Sequence, residues 1–312
     1  MKGIKKYVLS RLVQLVVILI GLSFLTYLLM YIAPGDPAQK KLTAQGISVS
    51  EEVLEATRED MGLNEPFLVR YAKWLGNAVT GDLGTSYKDD MPVSAKLTKA
   101  LGCTATLSAV SLALALIVSL PLAVITAVKK DGILDRIVRL FSFIGNSLPN
   151  FLISVLLMYL LCVKLQLLPV IADKSVKGLV LPCLALSIPI CSRFVRQFRA
   201  EILEQLGREY VIGARARGVK SSVILFKNVL HNAAIPILTI VALSIGGLLG
   251  GSVVVETIFR WPGLGKLAMD AISARDYPVI QGFVIFTSCV YVLINLLADI
   301  LYRRLDPRVG EM

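Results

Sequence analysis

Apolar positions dominate six stretches of the chain, at Leu12 to Ile32, about Thr104 to Val128, Val138 to Val163, Leu179 to Ser192, Ala233 to Val255 and Val279 to Ala298, and polar positions collect between them. A helix needs about 20 apolar residues to cross a hydrocarbon core, so each stretch predicts a transmembrane helix. The fourth is short as counted, and its helix is expected to continue through Arg193, Arg196 and Arg199, whose long side chains snorkel to the interface. Ile32-Ala33-Pro34-Gly35-Asp36-Pro37 after the first stretch offers no small-residue cleavage site, which predicts a retained span and not a signal peptide. Six spans put both termini on one side.

Two polar segments have a pattern of their own. From Pro34 to about Leu101 the chain reads as a small helical insertion. Ser48 to Glu51 has capping-box spacing ahead of Val53, Leu54 and Met61, with Gly62 as the stop, and Pro66 to Val79 places Phe67, Tyr71, Trp74 and Leu75 at helical spacing. Those aromatics are expected in a small core or an interfacial belt, and Gly81 to Ser86 reads as loop. The other segment, Glu209 to Ser221 and the amphipathic run after it, reads as helix, glycine turn, helix. Tyr210, Val211 and Ala214 share one face, Gly218 supplies a left-handed end, and Ser221 is placed to cap the next helix. There Val223, Phe226 and Leu230 are expected to be buried and Lys227, Asn228, His231 and Asn232 to stay wet. The segment is either an ordinary loop or a docking element for a soluble partner.

Composition agrees with a polytopic membrane protein: 55% of residues are hydrophobic, 18% charged, and the mean hydropathy is +0.72. The formal net charge of +11 sorts to one face. Lys2, Lys5, Lys6 and Arg11, then Lys129, Lys130, Arg136 and Arg139, then Arg193 through Lys227, then Arg303, Arg304 and Arg308 all fall on the side of the termini, which the positive-inside rule makes cytoplasmic. Topology and anionic headgroups account for the charge without nucleic acid. Cys103, Cys162, Cys183, Cys191 and Cys289 form no C-x-x-C pair and sit in or beside apolar runs, as small hydrophobic residues do.

Inside the six apolar cores there is no Asp, Glu, Lys, Arg or His beyond Arg139 at the very start of the third. That disfavours an ion-coupled carrier or a channel, the competing reading, because such proteins need ionisable groups along their path. No P-loop, H-E-x-x-H or G-x-S-x-G occurs, and His231 is the only histidine. Gly263-x-Gly265-x-x-Ala268 imitates a dinucleotide fingerprint but follows no strand. No catalytic residue, cofactor site or metal site is assigned, so the chain is not read as an enzyme. Pro121, Pro149, Pro182, Pro189 and Pro236 are either packing kinks or borders of a path. Gly246, Gly247, Gly250 and Gly251 form two overlapping G-x-x-x-G pairs that admit a neighbouring helix.

Several short motifs then stand in order along nearly the whole chain: Gly35-Asp36-Pro37, Gly62-Leu63-x-x-Pro66, Gly84-x-Ser86, Ser147-x-Pro149-x-Phe151, Ala214-Arg215-Ala216-Arg217-Gly218, Trp261-Pro262-Gly263-Leu264-Gly265, Asp276-Tyr277-Pro278-x-x-Gln281-Gly282 and Leu305-Asp306-Pro307-Arg308. With them the chain resembles a permease subunit of the binding-protein-dependent ABC importers, in the dipeptide, oligopeptide and nickel branch and closest in look to nickel-type permeases. The general importer pattern Glu-Ala-Ala-x-x-x-Gly is partly kept, since Ile212 and Gly213 fill its first two places while Ala214 and Gly218 remain.

The resemblance implies an all-α membrane protein of six transmembrane helices with an extracytoplasmic insertion and a cytoplasmic coupling-helix pair. Its expected divisions are 1–33 (N-terminal tail and first helix), 34–101 (extracytoplasmic insertion), 102–302 (transmembrane permease domain, with coupling helices at about 205–232) and 303–312 (cytoplasmic tail). It implies a cell-membrane location with both termini cytoplasmic. Implied partners are a second, homologous permease, two cytoplasmic ATPases that hydrolyse the ATP, and an extracytoplasmic binding protein that delivers short peptides or nickel as a chelate. Ala214, Arg215, Ala216, Arg217, Gly218 and Ser221 become the ATPase-coupling residues, and Gly246, Gly247, Gly250 and Gly251 the subunit-packing residues. Asn146, Ser147, Pro149, Trp261, Pro262 and Gly263 are the candidates for the path or an outer gate, and the outer loops Asp36 to Lys99 and Glu256 to Tyr277 are expected to face the binding protein.

Overall fold

The computed structural model describes residues 2–44, 49–171 and 175–305, and its regular elements are helices. In order they are α1 (Lys2–Ile32), α2 (Pro37–Ala44), α3 (Glu51–Asp60), α4 (Phe67–Val79), α5 (Val93–Val128), α6 (Ile133–Ser147), α7 (Asn150–Met158), α8 (Val176–Leu206), α9 (Glu209–Ala216), α10 (Ser221–Val223), α11 (Leu230–Phe259), α12 (Leu264–Ala274) and α13 (Tyr277–Leu305), with π-helical turns at Tyr159–Lys164 and Ile224–Val229. Among the described residues five helical runs are long and apolar enough to cross a membrane, carried by α1, α5, α8, α10 with α11, and α13. The chain is an all-α membrane protein.

The third expected span, Val138 to Val163, is not one rod. α6 and the run from Asn150 to Lys164 meet at 104°. Proline disfavours the helical region for the residue before it, and Leu148, before Pro149, takes ψ 132°. Pro121, Pro182, Pro189 and Pro236 lie inside continuous helices instead. The fourth span does continue, as α8, to Leu206, but two of its arginines do not snorkel. Arg193 donates to Ser244 Oγ (3.4 Å), and Arg199 is held by Asp135.

The chain divides into two compact units, Met1–Thr104 with Pro262–Leu296, and Ala105–Trp261 with Leu297–Met312. In the first, α4 lays Phe67, Tyr71 and Trp74 on Phe24, Tyr27 and Tyr31 of α1, with centroids 5.1 to 6.1 Å apart, so the expected aromatic set packs on the first span while staying half-buried, and Tyr31 keeps 58% exposure. The expected cap at Ser48 lies outside the described residues; α3 is capped by Ser50, whose Oγ accepts from Val53 N–H. Gly62 (φ +64°) ends α3, with Gly62 N–H on Glu59 O and Leu63 N–H on Arg58 O, the paired bonds of a Schellman turn.

Distant motif residues meet in this unit. Asp36 accepts from Ala38 N–H (2.9 Å), which starts α2, and from Arg58 Nε (2.8 Å) of α3. Asp276, 3% exposed, takes the Ser86 hydroxyl and the Tyr87 N–H (3.0 Å). Gly282 must lack a side chain, since a Cβ there would collide with Val93 and Leu97 of α5.

The second unit is built on α8, whose Phe194, Phe198 and Ile202 are fully buried. Their cluster includes Ala115, Ala123 and Ala127 of α5, Val211 and Ala214 of α9, Ile224 and Val229 of the π turn, and Ala233 and Ile237 of α11. Between α6 and α8 a buried ion pair joins Asp135, with no exposed side-chain surface, to Arg199 Nε and Nη2, both at 2.8 Å.

Candidate coupling surface

α8 ends at Leu206, Gly207 caps it, and Arg208 turns the chain into α9. α9 buries Val211 and Ala214, as their spacing predicts, and half-buries Tyr210, whose hydroxyl reaches Gln205 Oε1 (3.2 Å). The opposite face stays out: Ile212 is 62% exposed, and Arg215, Ala216, Arg217 and Gly218 are exposed. Gly218 takes φ +75°, with Gly218 N–H on Arg215 O (2.9 Å) and Val219 N–H on Ala214 O (3.2 Å). This second Schellman turn satisfies two end carbonyls of α9 and needs a left-handed residue, which glycine supplies at little cost.

The helix after the turn departs from the sequence pattern in two ways. Ser221 is not its cap: the helix starts at Ser221 with Lys220 in the cap position, and a lysine side chain has no acceptor to offer. Val223 and Phe226, expected inside, are exposed, Phe226 at 65%, while Ile224 and Val229 are buried. A π turn bonds residues five apart, so Ile224 and Val229 come onto one face and the α-helical register is lost. The outcome is an exposed apolar group of Ile212, Val219, Val223 and Phe226, accompanied by exposed Arg215, Arg217, Lys220 and Lys227. Exposed apolar patches rimmed by polar residues mark interaction sites, with a protein or with a membrane.

The other candidates are distributed as follows. Gly246 is buried, whereas a Cβ on Gly247 or Gly250 would meet nothing within 4 Å. Leu243 (66% exposed), Gly247, Gly250 and Val254 (45%) form one open stripe of α11 at helical spacing. Gly251 lies in the helix. Asn146, Ser147 and Pro149 are exposed at the α6–α7 bend, where Ser147 Oγ donates to Phe143 O (2.8 Å). Trp261 is 3% exposed and follows the left-handed cap Arg260; Pro262 is exposed, and Gly263 is the buried cap of α12. These six fall in two separate stretches of the chain. Glu256, expected to open an outer loop, is fully buried within α11.

The first unit holds a cavity of about 750 Å³ bounded by Tyr27, Arg58, Arg70, Trp74, Tyr277 and Gln281 among others. Nearby, Arg58 hydrogen-bonds Glu55 and, with Asn64, holds that carboxyl below the usual range. Sequence reasoning missed Asp135 and its bidentate partner Arg199; the i,i+4 spacing of Asp135 and Arg139 was the only local cue, and Arg199 lies 64 residues away.

The model of the binding-protein-dependent transport system inner membrane component matches residues 119–311, and that of its N-terminal part matches residues 4–108. An oligopeptide transport system permease protein of Bacillus subtilis (strain 168), AppB, is 38% identical over 97% of this chain and 98% of its own. A probable peptide ABC transporter permease protein, y4tP of Sinorhizobium fredii, is 36% identical over 97% and 98%, and a nickel import system permease protein of Staphylococcus aureus (strain bovine RF122), NikB, is 36% identical over 97% and 91%. Among solved structures, an inward-facing MetNI methionine ABC transporter chain aligns with TM-score 0.56 at 17% identity, over 68% of this chain and 96% of that one.

Proposed function

The chain belongs to the family of binding-protein-dependent transport system inner membrane components, and from that premise we propose that it is the membrane-spanning permease subunit of an ATP-driven importer carrying short peptides or a metal chelate. The surface around Gly218 carries the reading. It presents an apolar group with basic neighbours to a partner, while Val211, Ala214, Ile224 and Val229 anchor it in the same core as α8 and α5. A partner that moves α9 therefore pushes on packed helices and not on a loose loop, and packed cores transmit small shifts as whole-element motions. The partners are two cytoplasmic ATPases, a second permease and an extracytoplasmic binding protein.

Among the described residues no three His, Cys, Asp or Glu side chains stand together as a metal site, which favours a chelate over a bare ion where the cargo is a metal. The test is uptake into vesicles holding the chain with its partner permease, ATPases and binding protein, supplied with a labelled dipeptide or a labelled nickel chelate. ATP-dependent uptake of one of these, and none from the chain alone, is the expected result. Uptake by the chain alone, driven by an ion gradient, would make it a carrier.

The positive-inside count places α9 in the cytoplasm and α3 and α4 outside. A reporter active only outside the cytoplasm is expected to work when fused after Ala78 and to be silent after Lys220; the reverse pattern would turn the coupling surface outward.

The stripe of Leu243, Gly247, Gly250 and Val254 is the proposed contact with the second permease, whose helix packs closely against small residues. Because a Cβ on Gly247 meets nothing in this chain, Gly247→Leu should leave the subunit folded and reduce co-purification of the second permease several-fold. Full recovery of the pair with normal uptake would assign the stripe to lipid.

A further inference from the structure

Where α6 crosses α8 a second cavity opens, of about 540 Å³, and its lining has an unusual composition. Arg136 and Arg139 of α6 and Arg196 and Arg199 of α8 surround it, its remaining residues are Leu140, Phe143 and Val195, and no carboxylate borders it. Asp135, buried beneath, takes both oxygens' worth of Arg199 at 2.8 Å and stands 3.5 Å from Arg139, which also reaches Asp131 at 3.7 Å. Arg136 and Arg196 are exposed, and among the described residues no carboxylate lies within ion-pair distance of either. The two carboxylates thus pair with only two of the four guanidiniums, and the cavity keeps an excess of positive charge.

The apolar members are as telling as the charged ones. Leu140 and Phe143 are 59% and 63% exposed on the same cavity, and Phe143 lies seven residues, about 10 Å along the helix axis, beyond Arg136. Arg136 follows closely on the basic Lys129-Lys130-Asp131 turn, so the cavity sets arginines and exposed apolar side chains side by side along α6. A soluble anion would use the arginines and leave the apolar residues unoccupied. An amphiphile with an anionic head uses both.

We propose that this cavity is a binding site for an anionic phospholipid, with the guanidiniums of Arg136 and Arg196 on its phosphate and Leu140 and Phe143 along the start of an acyl chain. Planar guanidiniums bind phosphate oxygens in pairs, which makes arginine the suited residue here. Arg199, fixed by Asp135, gives the site a rigid wall. The site is separate from the coupling surface, and the inference does not depend on the identity of the transported solute.

The experiment uses the full chain purified with its partner permease and ATPases, compared with the same complex carrying Arg136→Gln and Arg196→Gln. The probes are phosphatidylglycerol, phosphatidylcholine and inorganic phosphate, and the readouts are lipid retained in native mass spectrometry and the thermal midpoint in nanodiscs. The parent should retain phosphatidylglycerol in preference to phosphatidylcholine and melt higher with it, and the double variant should retain about tenfold less. Arg136→Lys with Arg196→Lys should fall between, since it keeps the charge and loses the fork. Equal retention by parent and double variant would overturn the proposal. So would stabilisation by inorganic phosphate without any by phosphatidylglycerol, which would mark a soluble-anion site, and so would loss of a partner subunit from the double variant, which would mark a protein interface.

Discussion

Gly218→Val is expected to leave the protein inserted in the membrane and to cut ATP-driven uptake by a factor of about 5–30. A left-handed backbone costs an L-residue roughly 1–2 kcal/mol, and a shift of that size changes an equilibrium by about that factor. The structure isolates the cause: Gly218 holds φ +75°, and a Cβ there meets nothing within 4 Å, so the penalty is conformational and not steric. Relief of the strain breaks the bonds from Gly218 N–H to Arg215 O and from Val219 N–H to Ala214 O, and α9 then leaves its place on the core. Asparagine tolerates this backbone region better than valine, so Gly218→Asn should retain much of the activity. Uptake and ATP hydrolysis in reconstituted vesicles, with co-purification of the ATPases, decide the matter. If the valine variant binds its ATPases and transports like the parent, the segment from Glu209 to Asn232 is only a loop.

Asp135→Ala is expected to destabilise the second unit by about 3 kcal/mol, at the lower end of the range for a broken buried pair because Arg199 keeps 15% exposure. The carboxylate has no exposed surface and carries two 2.8 Å bonds from Arg199 and one of 3.0 Å from Asp131 N–H. Removing it strands a guanidinium between α6 and α8. Arg199→Met in the same chain removes the stranded charge, and the double variant should regain a large part of the loss. Arg139→Gln, half-exposed and 3.5 Å from the same carboxylate, should shift stability by less than about 1 kcal/mol. Thermal midpoints of the purified variants in one detergent measure all three. An Asp135→Ala protein as stable as the parent would show that the pair is incidental to the packing of α6 on α8.

The motifs spread along the sequence acquire their reasons only in the folded unit. Gly84-x-Ser86 and Asp276 stand 190 residues apart for the Ser86 hydroxyl bond, yet the buried Asp276 carboxylate needs both that hydroxyl and the Tyr87 N–H. Gly35-Asp36-Pro37 reads locally as a turn, and its aspartate turns out also to hold Arg58 of α3. Each motif was visible one at a time. Their pairing was not, because hydrogen bonds over such separations leave no periodic trace.

What the sequence by itself determined was everything that depends on local period and composition. Hydropathy located the apolar spans, the spacing of Tyr210, Val211 and Ala214 identified the buried face of α9, and Gly218 marked its left-handed end. Leu148-Pro149 held the information for the bend of the third span, since proline restricts the residue before it, but its size of 104° came only with packing against α8 and α11. Tertiary structure alone decided the register after Gly218, where a π turn brings Ile224 and Val229 inside and turns Phe226 out against a 3.6-residue pattern. It alone decided that Arg199 pairs inward with Asp135 while Arg196 remains exposed. Side chains one turn apart share the same local pattern, and only the neighbour supplied by another helix distinguishes them.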